Sequence, residues 1–246
     1  MSLPSDSMRS HYEERAEQQY AAPQPLPDPR VDRKFARICA LVREQLPAEA
    51  FLDAGCGDGR YLRALDAELP ERIAGVDISE RIIETARAAA PRADLRQGNL
   101  EQLPFGDGEF DLALSTQVIE HVLDQPRGAC ELARVLRPGG ILVISTDNDR
   151  AWVSRVLNAP RMALVRALRL SGRHSRVQSP ASGFTRESLR ALLEDAGFEV
   201  ERIETFRFHV MWPLDFAPLQ RALNALDERL PPHDAGDVLA AVARKR

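Results

Sequence analysis

Residues 53–59, Asp-Ala-Gly-Cys-Gly-Asp-Gly, place a carboxylate directly ahead of three glycines on alternate positions, Gly55, Gly57 and Gly59. The apolar pair Phe51-Leu52 precedes them, and Tyr61, Leu62 and Leu65 follow at helical spacing, so the stretch reads as strand, glycine turn and helix. That arrangement brings bare backbone N–H groups and a helix N-terminus against a ligand. A dinucleotide site would need Gly-x-Gly-x-x-Gly, but the position of its last glycine is Arg60, and a glycine arrives one residue early. A carboxylate at Asp53 would repel a pyrophosphate and suits the cationic end of a ligand, such as an amino group. A second acid, Asp77, lies 22 residues after Gly55 at the end of the next apolar run. A carboxylate there can accept both hydroxyl protons of a ribose.

The elements that must position these groups alternate in type. Phe35, Ile38, Leu41, Val42 and Leu46 recur at helical spacing over 31–46, just ahead of the glycine strand. Further strands are predicted at 72–77, 93–97, 110–115 and 141–145, with helices at 59–69, from Ser79 to about Ala90, and at about 126–136. Ser79 and Glu80 start one of these helices, and Pro138-Gly139-Gly140 halts another. Five strands alternating with helices imply an α/β fold with a parallel sheet and right-handed crossovers. Such sheets bind ligands at the carboxyl ends of their strands, near the switch in strand order. Asp53, Asp77, Asn99, Ser115 to Gln117 and Thr146 to Asn148 all fall at that edge. Asn99 and Leu100 there offer an amide and a backbone N–H to the edge of an adenine.

The bulk properties narrow the class. With 246 residues, 44% hydrophobic and 28% charged, the chain can bury a sizeable core and is not expected to be disordered. A net charge of −4 argues against a dedicated nucleic-acid binder. Three scattered cysteines, Cys39, Cys56 and Cys130, suggest neither a disulfide framework nor a metal site and fit a reducing cytoplasm. The N-terminus lacks a signal-peptide core and no apolar run is long enough to span a membrane, so a soluble protein is expected.

Six segments in order complete a pattern. They are 52–59, Gly-Val-Asp-Ile-Ser (75–79), Phe-Asp-Leu-Ala-Leu-Ser (110–115), Val-Ile-Glu-His-Val (118–122), Arg-Val-Leu-Arg-Pro-Gly-Gly (134–140) and the Phe184 to Phe198 stretch. Together they resemble class I S-adenosylmethionine-dependent methyltransferases, in the group of quinone and small-molecule methylases with a type 11 methyltransferase domain. The resemblance spans about residues 30–210. It implies a Rossmann-like, doubly wound seven-stranded sheet, mostly parallel with the last strand antiparallel, carrying helical cap insertions. It also implies S-adenosylmethionine as cofactor, with Asp53, Gly55 and Gly57 on the methionine end, Asp77 on the ribose, and Ile78 against the adenine. Asn99 and Leu100 would meet the adenine edge, and Gln117 would line the methionine pocket. The family more often has an acid at the position of Asn99, whose amide oxygen can still accept from the adenine amino group. The sixth strand would begin at Phe198 and the seventh at Asp237.

One domain is expected over 30–246, with cap insertions at about 150–183 and 211–233. It would be preceded by a polar, proline-rich segment over 1–29 that could serve as a tail or a lid. From Arg150 to Arg186 the chain carries eight arginines and no acid, with Arg166, Arg169 and Arg173 on one helical face. This stretch is either a solvated cap face or a surface for an anionic substrate or anionic membrane, centred on 155–176. In the second insertion, Phe216, Leu219, Leu223, Leu226 and Leu230 recur at helical spacing, fitting a further cap helix or a contact between two copies; monomer and homodimer both stay open. His121 and His209 are the candidate general bases, although a methyl group can leave a sulfonium by in-line positioning alone. The expected reaction is O-methylation of a small-molecule hydroxyl. N- or C-methylation, methylation of a lipid-like quinol at a membrane, and non-catalytic cofactor binding are the alternatives.

Overall fold

The computed structural model describes residues 13, 22–29, 31–151, 183–206, 225 and 236–246. The elements run in chain order as α1 (Arg33–Arg43), β1 (Ala50–Ala54), α2 (Arg60–Leu65), β2 (Arg72–Asp77), α3 (Glu80–Ala89), β3 (Asp94–Gln97) and β4 (Phe110–Thr116). A short 3-10 turn (Ile119–His121), α4 (Gln125–Val135), β5 (Leu136–Asp147), α5 (Arg186–Asp195), β6 (Phe198–Phe206) and β7 (Val238–Lys245) follow. The strands form one seven-stranded sheet in the order β3-β2-β1-β4-β5-β7-β6. All pairings are parallel except those of β7, which runs antiparallel to both β5 and β6. The predicted α/β architecture, with an antiparallel last strand, is the one observed.

Sequence dictates the central strands directly. Every residue of β1 is buried, as expected of a strand covered by helices on both faces. Phe51 and Leu52 face opposite layers. On one side Leu52, Ala113, Leu142, Ile144, Leu132, Leu189 and Phe198 pack together with α4 and α5. On the other, Phe51, Leu114, Val143, Ile38, Leu41, Leu62 and Ile83 pack with α1, α2 and α3. Each such side chain, taken fully out of water, contributes about 1.5–3 kcal/mol before entropic costs.

Polar side chains fix where helices begin. Asp32 accepts from the Phe35 N–H at 3.0 Å to start α1, and Ser79 accepts from the Ile82 N–H at 3.2 Å to start α3. Helix α1 is then tied to the far edge of the sheet, because the Arg37 guanidinium holds both carboxylate oxygens of Glu204 on β6 at 2.7 and 2.9 Å. This clamp matters for the site, because α1 delivers Asp32, Lys34 and Phe35 to it.

The chain passes through β1, β2 and β3 to one side and returns to β4 on the other side of β1. The switch in strand order therefore lies between β1 and β4. Behind it, Phe110 at the start of β4 is 1% exposed and meets Phe105 edge to face at 5.1 Å, with the Arg72 guanidinium 5.5 Å above its ring. Phe110→Ala is expected to cost about 3–5 kcal/mol of folding stability. Urea unfolding with an unchanged slope checks this.

Candidate cofactor-binding site

A cavity of about 480 Å³ opens at the carboxyl edge over the strand-order switch. Its walls bring together most of the residues singled out from sequence: Gly55, Gly57, Asp77, Ile78, Asn99, Leu100, Gln117 and His121. His209 lies outside the described residues, as do the arginine-rich stretch 152–182 and most of the N-terminal segment and second insertion.

The glycine turn is built differently from the expectation of bare N–H groups. The N–H groups of Gly55 and Cys56 both donate to the Val76 carbonyl, at 2.7 and 2.9 Å, and the Gly57 N–H donates to the Asp77 carboxylate at 3.1 Å. The turn is thus closed by β2, and its donors are satisfied before any ligand arrives. Glycine is required at Gly55 for two reasons. Its φ is +94°, and a Cβ there would come within 2.1 Å of a Val118 methyl. Gly57, at φ +53°, has open space where a Cβ would go.

Asp53 is fully buried at the end of β1, behind the turn rather than on the cavity wall. Neither of its carboxylate oxygens has a partner among the described residues. Burial pushes its pKa up to about 8, and the nearby charges of Asp77 and Asp58 add to the rise. Asp77 is also raised by burial, but the backbone N–H groups of Ser79, Gly57 and Ile78 stabilise its charged form and oppose the shift. The Ser79 N–H reaches it at 3.1 Å.

At the third strand's end, the Asn99 side-chain oxygen accepts from the Glu101 N–H at 3.0 Å, which fixes the amide within its own turn. Gln117 has a left-handed backbone, φ +56°, and its N–H donates to the Ser145 carbonyl at 2.8 Å. Its side-chain Nε2 is buried without a partner among the described residues. A non-glycine residue held in that conformation beside an unspent donor is the kind of strain found at ligand sites.

Several lining residues were not legible as such. Asp32, Lys34 and Phe35 come from α1, and Asp58, Arg60 and Tyr61 from the start of α2. Asp58 is 2% exposed, pairs with Arg60 at 3.1 Å and accepts from the Gln24 N–H at 3.4 Å. Glu13 reaches the same rim from the N-terminal segment, its carboxylate accepting from the Ser79 hydroxyl and the Glu80 N–H, both at 3.0 Å. Only the alternate acids around the glycines could have hinted at Asp58. The others are assembled by tertiary packing.

Residues 52–144 match the methyltransferase domain family. A probable S-adenosylmethionine-dependent methyltransferase of Mycolicibacterium smegmatis is 41% identical over 150 residues, covering 61% of this chain and 52% of its own. A ubiquinone biosynthesis O-methyltransferase of Mesorhizobium japonicum is 32% identical over 142 residues, covering 55% of this chain and 54% of its own. Among solved structures, an S-adenosylmethionine-dependent methyltransferase of Mesorhizobium loti superposes with TM-score 0.58 at 25% identity, over 84% of this chain and 96% of that one. Residues 52–144 thus carry a methyltransferase domain, and the chain shares the fold of the S-adenosylmethionine-dependent methyltransferases. It spans about half the length of the curated relatives it matches.

The donor set fits that cofactor: an acid on the cavity wall at Asp77, apolar walls at Ile78 and Leu100, and a buried carboxylate at Asp53, unpartnered among the described residues, for a cation. In the ligand-free chain Asp53 carries a folded-state pKa raised from 3.8 to about 8. Its contribution to stability is therefore complete below about pH 4 and is lost as pH rises towards 8. Unfolding measured from pH 5 to 8 should show falling stability in the wild type and a flatter profile in Asp53→Asn.

Proposed function

We propose that this chain transfers the methyl group of S-adenosylmethionine to a hydroxyl oxygen of a small molecule. The observation that carries the reading is the convergence of Asp77, Ile78, Asn99, Leu100 and Gln117, from three separate strand ends, on one cavity with Asp53 buried behind it. S-adenosylmethionine supplies a methyl group on a sulfonium, which departs as a neutral sulfide.

The chain's own residues bind and orient. Asp77, preset by the Gly57 and Ser79 N–H groups, takes the ribose hydroxyls with its remaining lone pairs. Ile78 and Leu100 clamp the adenine, and the Asn99 amide meets its edge. Asp53 neutralises the ammonium of the amino-acid end. Because Asp53 holds a proton at neutral pH in the ligand-free chain, binding of that cation displaces it. Gln117, a lining residue with an unspent Nε2 donor, serves the methionine end. His121 lines the same stretch of wall, and as the general base of this reading it takes the hydroxyl proton. With donor and acceptor held in line, positioning supplies most of the acceleration.

Hydroxyl acceptors are favoured over nitrogen or carbon because a related chain is named a ubiquinone biosynthesis O-methyltransferase. Acceptor choice falls to the stretches that leave and rejoin the sheet at the same edge, after Ala151 and after Phe206.

Calorimetric titration of S-adenosylmethionine into the purified chain should give saturable binding. Asp77→Ala should weaken it by about 100-fold or more, since two hydrogen bonds to a charged group, about 1.5–3 kcal/mol each, are lost. Unchanged affinity would remove Asp77 from the ribose. Methyl gain by phenols and alcohols, but not by amines, in a mass-spectrometric acceptor screen would support oxygen transfer.

A further inference from the structure

The 3-10 turn Ile119–His121 carries a further buried acid with an unsatisfied oxygen. Glu120 is 1% exposed. Its Oε2 accepts from the Thr146 hydroxyl at 3.0 Å, and its Oε1 is buried with no partner among the described residues. Leaving a carboxylate oxygen unsatisfied in a dry interior is costly. The residues on both sides of Glu120 in sequence, Thr116 to Val118 and His121 to Val122, line the cavity. They do so at the end opposite Asp77, Ile78 and Asn99, and hence at the methyl-donor end of the reading above.

We propose that Glu120 is the residue by which this site distinguishes the sulfonium donor from its demethylated, neutral product, its carboxylate supplying the electrostatic counterpart of the sulfonium charge. The inference rests on the methyl-donor reading of the cavity and deepens it. Donor and product share the same adenine, ribose and amino-acid end, so Asp53, Asp77 and Asn99 treat them alike. Only a group answering to the sulfonium itself can separate them, and across a low-dielectric wall a buried carboxylate does so without direct contact.

The groups facing Glu120 are Thr146 and Asp147 from β5, Lys34 from α1, and His121 on its own turn. Burial pushes its pKa up to about 7 and Asp147 acts in the same direction, while Glu120's own backbone N–H, the Thr146 hydroxyl and Lys34 oppose it. Protonated Glu120 is blind to the sulfonium and ionised Glu120 is attracted to it. Preference for the donor therefore rises as pH passes through neutrality. His121 works with the same sign, because its imidazolium would repel the sulfonium at low pH, so the two must be separated by substitution.

The test is calorimetric affinity for S-adenosylmethionine and for S-adenosylhomocysteine between pH 6 and 8.5. In the wild type the ratio of the two affinities should rise about tenfold, the equivalent of a one-unit displacement of the carboxyl group's pKa. Glu120→Gln, which keeps an acceptor for Thr146, should give a low and pH-independent ratio, while His121→Asn should retain the rise. Thr146→Val, which removes a donor to the carboxylate, should move the rise to higher pH; it also serves where Glu120→Gln fails to fold. A pH-independent ratio in the wild type, an unaltered profile in Glu120→Gln or Thr146→Val, or a profile flattened by His121→Asn alone overturns the role of Glu120. Absence of binding by both compounds overturns the methyl-donor reading itself, and this inference with it.

Discussion

The Val76 carbonyl oxygen accepts the N–H groups of both Gly55 and Cys56, and the site depends on that double hydrogen bond. It fastens the turn after β1 to the end of β2, and the neighbouring Asp77 carboxylate completes the junction by gripping the Gly57 N–H. Two strand ends are thereby locked in a fixed relation before any ligand is present. Gly55 must be glycine for the turn to fit beneath Val118, and Val118 lies in the segment that carries Gln117 and His121 to the opposite wall. One backbone acceptor thus sets the spacing between the two ends of the cavity.

Much of this arrangement is legible in the residues. Phe51-Leu52 ahead of alternate glycines, an acid after each of the first two strands, and the apolar run from Ile141 are local signals, each read within a dozen residues. They place the sheet, its direction and the edge at which Asp77, Asn99 and Gln117 meet. Three things escape that reading because they arise between distant segments. The donors of the glycine turn are consumed by Val76, about twenty residues on. Asp53, which reads as a ligand-facing acid, is withdrawn behind the turn because the alternation of β1 points it into the layer beneath α1 and α2. Lys34 and Phe35 reach the cavity because Arg37 anchors α1 to Glu204, 167 positions away.

The electrostatics follow one logic throughout. Acids crowd the cavity and its surroundings: Asp32, Asp53, Asp58, Asp77 and Glu120, with Lys34 and Arg60 as cations on the wall. Burial disfavours the charged forms of Asp53, Asp77 and Glu120 alike, and a cationic ligand opposes that shift. Ligand-free stability and affinity for a cation accordingly respond to pH in opposite directions. That is the expected behaviour of a site whose polar groups are satisfied by what it binds rather than by the fold.

The stems of the two long excursions from the sheet are pinched shut. Asn148 bridges to Phe184, and the Asp149 N–H donates to the Phe184 carbonyl at 2.9 Å. At the other stem, a Cβ on Gly236 would lie 2.8 Å from the Phe206 backbone, so only glycine lets those chains pass so closely. When both feet of a loop are already joined by the framework, lengthening the loop adds only a slow logarithmic entropy cost, about 0.6 kcal/mol per doubling. Chain length between either pair of stems can therefore change almost independently of the sheet. Variation there leaves the donor half untouched.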